Sequence, residues 1–200
     1  MVKITHASVP VRVPTIRELR EKHEDFCKGH DKVVKAYEAV IEKVKVAFRD
    51  LKNPNTADAA DTVGDWLKVF CVPYISAFNQ QKATRQVIEP NLRTADQSSV
   101  INIFKTLHKE LKDTCTAKAL HPLAPEFFPM WDEKIAAAYG VARNEHGYFL
   151  FLWLVRQQLK ALKWKIRVAR WLRCWRPGIP DLKVLDEYNY ETYTKSNSPA

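Results

Sequence analysis

Residues able to do chemistry are few in this chain, and their spacing carries the first argument. His23, Cys27 and His30 form the pattern H-x3-C-x2-H, and a helix would bring the first two onto one face. Zinc would want a fourth ligand and usually paired cysteines or histidines, and only Glu24 and Asp31 lie near. The simpler reading is a half-buried thiol beside two solvated histidines at a helix end, so no metal or cofactor is expected. Residues 58–65, DAADTVGD, place Asp58, Asp61 and Asp65 about a helical turn apart. Carboxylates so spaced could take a divalent cation or share acid–base work, yet in the first turns of a helix they also complement its dipole. His108, His121 and His146 stand alone, and no serine or cysteine sits in a recognised nucleophile setting. The chain has no GxxxxGK[ST], no GxGxxG and no HExxH. No catalytic residue is assigned, and a non-enzymatic role is expected.

The densest unusual chemistry lies at 153–176, WLVRQQLKALKWKIRVARWLRCWR, which holds four of the six tryptophans. Between Glu145 and Asp181 there are eight basic residues and no acid, and setting them aside leaves a formal charge of +1 out of +9. The basic character is therefore local and points to a surface with a partner. On a helical wheel Trp153, Trp164, Trp171 and Trp175 fall within about 40° of one another. Arg156, Lys160, Lys163, Arg167 and Arg170 lie beside them, and Leu154, Val155, Leu159, Leu162, Ile166, Val168 and Leu172 occupy most of the rest, interrupted by Gln158, Lys165 and Arg173.

Three partners suit such a helix. An anionic membrane would take the apolar face at the acyl boundary with indoles among headgroups. RNA would meet cations with phosphates and indoles with unpaired bases. A protein partner would use tryptophan and arginine as anchors. The bland alternative is a helix buried in its own bundle with a solvated basic stripe. What favours a partner is the missing counter-charge, because ordinary surface helices alternate signs to gain i,i+4 pairs. Asp181, Asp186, Glu187 and Glu191 could fold back and supply that counter-charge. The expected partner-binding residues are Trp153, Arg156, Lys160, Lys163, Trp164, Arg167, Arg170, Trp171, Arg173 and Trp175.

The elements that must position these residues are helical. Glycine is scarce, with five in 200 residues, and Lys, Glu, Leu and Ala are common. Thr15 and Glu18 form a capping box that opens a helix through Leu19, His23 and Phe26 to about Lys28. A second helix spans 32–51 on the stripe Val33, Tyr37, Val40, Val44, Ala47 and Leu51. A third starts at Thr56 and is kinked or split at Pro73. A second capping box at 94–97 opens a helix to about Thr114. Pro122, Pro125 and Pro129 punctuate a rigid connection, a short helix follows over roughly 130–143, and the long basic helix covers 148–176. The fold class is all-α: an irregular bundle of six or seven helices over 15–176, with extended arms at 1–14 and 177–200.

Four separated cysteines read as reduced, mostly buried thiols of an intracellular protein. The absence of acids before Glu18 fits a mitochondrial setting, although Pro10 and Pro14 spoil an amphipathic presequence. The expected function is a helical accessory subunit of a larger intracellular assembly, a mitochondrial membrane complex or ribonucleoprotein, anchored by the basic helix. The alternative is a peripheral protein that binds anionic lipid or RNA directly.

Overall fold

The first helix starts as its capping box requires. Thr15 is extended, its hydroxyl accepts from the Glu18 N–H at 3.2 Å, and the Glu18 carboxylate accepts from the Thr15 N–H at 2.8 Å. The computed structural model describes residues 12–49, 55–69, 97–164 and 179–195, apart from the side chains of Thr56, Lys163 and Trp164. Seven α-helices lie among the described residues: α1 Ile16–Gly29, α2 Asp31–Ala47, α3 Thr56–Lys68, α4 Gln97–Leu123, α5 Glu133–Ala138, α6 Glu145–Trp164 and α7 Asp181–Asn189. A π-helical segment, Tyr190–Lys195, continues α7, and no strand occurs among the described residues. The fold is all-α.

Local signals set the ends. His30 interrupts the chain between α1 and α2 with φ −135° and ψ 37°. Asn55 caps α3 by accepting from the Asp58 N–H. Asp132 caps α5 by accepting from the Ile135 N–H at 2.9 Å. Gly140, at φ 64°, ends α5, and the Val141 N–H returns to the Ala136 carbonyl, a left-handed stop that glycine adopts without steric cost. Gly147 answers a different need, because a Cβ there would sit 1.7 Å from the Ala142 carbonyl oxygen.

Helices α2 and α3 pack as an antiparallel pair, and α4 lies against both of them and against α6. The interior is aromatic where α4 meets α6: Phe104 stacks on Tyr148 at 4.3 Å, and Trp131 meets Tyr148 edge-on at 5.2 Å. Helix α7 crosses α1 and also touches α6, which closes the core with Leu182, Leu185 and Tyr188.

Several boundaries differ from the sequence expectation. Helix α2 ends at Ala47, and α6 begins at Glu145, three residues earlier than expected, with the Asn144 carbonyl accepting from the Tyr148 N–H. Helix α4 runs on to Leu123 through Pro122, across a break at Lys112. The largest correction concerns the C-terminal arm. Residues 181–195 are helical, and Leu182 to Asn189 are buried throughout, because Pro180 and Asp181 start a helix whose apolar side completes the core. At the other end Arg12 to Pro14 are extended, and the Arg12 carbonyl accepts from Gln158 Nε2 at 2.9 Å. The rest of the N-terminal arm, the Pro73 kink, the capping box at 94–97 and residues 165–176 lie outside the described residues. Cys27 is a free thiol, but Cys115 is disulfide-bonded, which departs from the all-reduced expectation for that position. Spacing along a chain carries no information on which sulfurs meet in space.

Among the described residues no helix is long and apolar enough to cross a membrane. Lys112, exposed at φ 62° and ψ 175°, occupies a region of backbone space that is almost exclusive to glycine. Lys112→Gly is expected to raise stability by about 1 kcal/mol, read as a rise of a few degrees in Tm by calorimetry.

Candidate functional site

Helix α7 buries Lys183, Asp186, Glu187 and Asn189 together with its leucines. Buried polar groups demand partners, and these come from elements distant in sequence. Glu187 is clamped from two sides. One carboxylate oxygen meets the Lys183 ammonium at 3.2 Å, and the other makes a short contact with His23 Nδ1 of α1. Burial alone would push the Glu187 carboxyl up, but Lys183 and His23 outweigh it and hold the group below its ordinary value. Lys183 also lies over the Phe26 ring at 4.7 Å and the Tyr37 ring at 4.8 Å, so aromatic faces cover its remaining surface.

His121 of α4 is fully buried between two polar partners. Its Nδ1–H donates to the Phe128 carbonyl at 2.7 Å, and Nε2 accepts from the Tyr37 hydroxyl at 2.9 Å. That pattern is satisfied by neutral imidazole, and burial drives its pKa down to about 3. Asp186 Oδ2 approaches His121 Nδ1 at 3.5 Å and accepts from the Met130 N–H at 3.2 Å. Burial pushes this carboxyl well above its ordinary range, against the opposing pull of Lys183 and the Met130 N–H. His121 is therefore a neutral imidazole, and the 3.5 Å approach is not an ion pair.

Asp186 Oδ1 has no partner among the described residues although it is fully buried. Asp186 is one of the residues lining a cavity of about 140 Å³ between α1, α2, α3, α4, α5 and α7. Phe26, Trp66, Trp131 and Tyr190 form aromatic walls, and Lys118, Asp132, Lys183 and Glu187 contribute charge. Burial lowers the pKa of the Lys118 amine, countered in part by Asp132. Asp132 is held in place by its cap bond and by the Thr194 hydroxyl, which donates to Oδ2 at 2.6 Å. His30 and Val33 are half-buried at the rim.

A second buried network joins α5, α6 and α7. The Tyr139 hydroxyl lies 2.8 Å from Gln158 Oε1 and 2.9 Å from Asn189 Oδ1. It has one proton for these two acceptors, so turning the Asn189 amide over lets its nitrogen donate to the hydroxyl and satisfies all three groups. Gln158, which looks like an interruption of an apolar face in the sequence, is buried in this network and links Tyr139 to the Arg12 carbonyl.

The sequence-predicted residues fall into three groups. Trp153 keeps 39% of its surface exposed, and Arg156 and Lys160 are exposed on the same side of α6. The Arg156 guanidinium lies 4.1 Å above the Phe127 ring, so its own molecule anchors one face of it. The side chains of Lys163 and Trp164, and all of Arg167, Arg170, Trp171, Arg173 and Trp175, lie outside the described residues. Of the four acids expected to cover the basic stripe, Asp186 and Glu187 serve the buried centre, and Glu191 pairs with Lys195 at 3.1 Å and approaches His30 at 3.7 Å.

Cys27 Sγ lies 3.3 Å from His23 Nε2, but His30 turns away, stacks on Phe26 and faces the Phe26 carbonyl. Among the described residues no group of three or more His, Cys, Asp or Glu is placed to hold a metal ion. Asp58 is engaged by Asn55, and Asp65 pairs with Lys68 at 2.6 Å on an exposed face. His108, which the sequence leaves alone, meets Asp113 at 2.6 Å, and Asp113 also meets Arg143.

Sequence reasoning missed His121, Lys183, Asp186 and Glu187. A signal was present in 180–189, PDLKVLDEYN, where Leu182, Leu185 and Tyr188 recur at three-residue steps behind a Pro-Asp start. No family model, curated protein or solved structure matches this chain.

Two outcomes test the buried centre. Below pH 6.5 the unfolded chain protonates His121 while the folded one does not, so stability falls with pH by about 1.4 kcal/mol per unit toward pH 3. Asp186 acts oppositely: the folded state keeps a proton that the unfolded chain releases above pH 3.8, so its contribution is lost as pH rises. Above about pH 4 the two slopes oppose each other. Asp186→Asn removes one of them, and urea denaturation should then show the variant losing about 1.4 kcal/mol per pH unit relative to the wild type on acidification. Separately, Lys183→Met should cost about 3–5 kcal/mol, and the double variant with Glu187→Gln should cost clearly less than the sum of the two singles.

Proposed function

We propose that this protein is a non-enzymatic helical docking subunit that presents the outward arc of α6 to an acidic surface on a protein partner. The observation that carries the reading is the division of α6 into two faces. Tyr148, Phe151, Leu152, Val155, Gln158 and Leu162 are buried against the bundle, while Trp153, Arg156, Gln157 and Lys160 face outward. The bundle thus draws its core contacts from one side of the helix and leaves the tryptophan and cations on the other.

Two further points support it. Glu187 and Glu191 are committed to His23, Lys183 and Lys195, so these two acids do not serve the stripe. The sequence carries the same alternation of indole and cation through residue 176. An acidic protein suits this surface better than a bilayer. The apolar side of α6 is occupied by the core, whereas an interfacial helix must sink that side into lipid. The Cys115 disulfide fits an assembly in a compartment oxidising enough to keep it.

The test compares the full chain with a Trp153→Ala, Arg156→Glu, Lys160→Glu variant, using poly-L-glutamate as the acidic polypeptide probe. The wild type should bind it in a salt-sensitive manner, and the variant should bind at least about tenfold more weakly. Preference for phosphatidylglycerol vesicles or single-stranded RNA over poly-L-glutamate would replace the reading with the lipid or RNA alternative. Equal binding by wild type and variant would remove the α6 arc from the account.

A further inference from the structure

The outward arc of α6 carries cations that its own molecule does not use. Among the described residues no carboxylate lies within ion-pair distance of Arg156 or Lys160, and Trp153 beside them keeps 39% of its surface exposed. A surface of opposite character lies elsewhere on the same chain. Helices α2 and α3 flank a groove of about 380 Å³ lined by Glu42, Lys43, Val46, Asp58, Asp61 and Asp65. All six are exposed, and four acids against one lysine leave these residues a formal charge of −3. Val46, 53% exposed, puts an apolar spot among the acids, as Trp153 does among the cations. The spacings also agree. Arg156 and Lys160 are four residues apart on α6, Asp61 and Asp65 are four apart on α3, and each pair spans about 6 Å of helix.

We propose that the acidic partner of the α6 arc is the α2–α3 groove of a second copy of this chain, an inference that rests on the docking role given to that arc. Arg156 and Lys160 meet Asp61 and Asp65, and Trp153 meets Val46. The groove exceeds the roughly 150 Å³ that accepts one benzene ring, so it has room for the indole. The Arg156 guanidinium already rests 4.1 Å above Phe127, which limits the freedom it loses on pairing with a carboxylate. Asp65 is engaged by Lys68 in an exposed surface pair, a kind that contributes little and exchanges readily. Within one chain the two faces stay apart: α4 packs against α2, α3 and α6, and no ion pair joins groove to arc among the described residues. The contact is head-to-tail, so every copy in a pair keeps one open arc or one open groove, and further copies add until a ring closes or a filament grows.

Sedimentation velocity on the full chain tests this. The wild type should self-associate with a Kd below about 0.1 mM at low salt and return to monomer near about 0.5 M salt. Two double variants change only exposed side chains: Arg156→Glu with Lys160→Glu, and Asp61→Asn with Asp65→Asn. Each alone should associate at least about tenfold more weakly. Their equimolar mixture should recover association and stop at a 1:1 dimer, because one intact arc then faces one intact groove. If a double variant does not fold, the single changes Arg156→Gln and Asp61→Asn take its place in the same mixture. A wild type that stays monomeric would overturn the proposal, as would a mixture that associates no better than its components. A closed wild-type dimer insensitive to both double variants would do the same. Poly-L-glutamate binding that persists in any of these cases leaves the docking role of α6 standing and removes only the second copy, whereas its loss removes both.

Discussion

The structure depends on the desolvation of α7. Few short helices place a lysine, an aspartic acid, a glutamic acid and an asparagine in the interior within seven residues, and each such burial is unfavourable unless it is matched. The match is supplied from across the chain. His23 on α1 closes the Glu187–Lys183 pair, Phe26 and Tyr37 cover the ammonium, and Met130 and His121 flank Asp186. The bundle is organised around these obligations as much as around its apolar core. Any packing of α7 that breaks one of them leaves a charge or a polar atom stranded in a low-dielectric interior. The buried ionic groups thereby select one arrangement of α1, α4 and α7 from the many that a purely apolar interface would tolerate.

Much of this architecture was legible in the sequence, and the pattern of success follows local physics. The Thr15–Glu18 capping box, the stripe of Tyr37, Val40 and Val44, and the absence of strands among the described residues all rest on signals contained within one or two helical turns. The failures share a different cause. Residues 181–189 read as polar because Lys183, Asp186 and Glu187 look like surface residues until their counter-groups, up to 164 positions away, are known. His121 looked isolated for the same reason, since Tyr37 and Phe128 become its neighbours only in the fold. The break at Lys112 and the disulfide at Cys115 are long-range or strained features that no local propensity announces.

The expected basic helix shows both sides of this lesson. Its division into faces at Trp153, Arg156 and Lys160 follows from helical period alone, and the exposed arc lies where the wheel puts it. What the wheel could not supply was the use of particular residues. Gln158, read as an interruption, joins Tyr139 to the backbone of Arg12, and Arg156 rests on Phe127. Polar residues inside an amphipathic pattern are thus as informative as the apolar stripe, provided the question asked is which distant group each one satisfies.

The pairing of α1 with α7 also constrains how the chain reaches its native state. His23 and Glu187 are separated by 164 residues, so α1 emerges during synthesis long before the carboxylate that completes its buried face exists. Until then Leu19, His23 and Phe26 must be shielded by transient contacts or by a chaperone, because closing so long a loop comes late and at entropic cost. Helix α7 is in this sense the clasp for α1, and premature release of the nascent chain would leave the bundle open along its most polar seam.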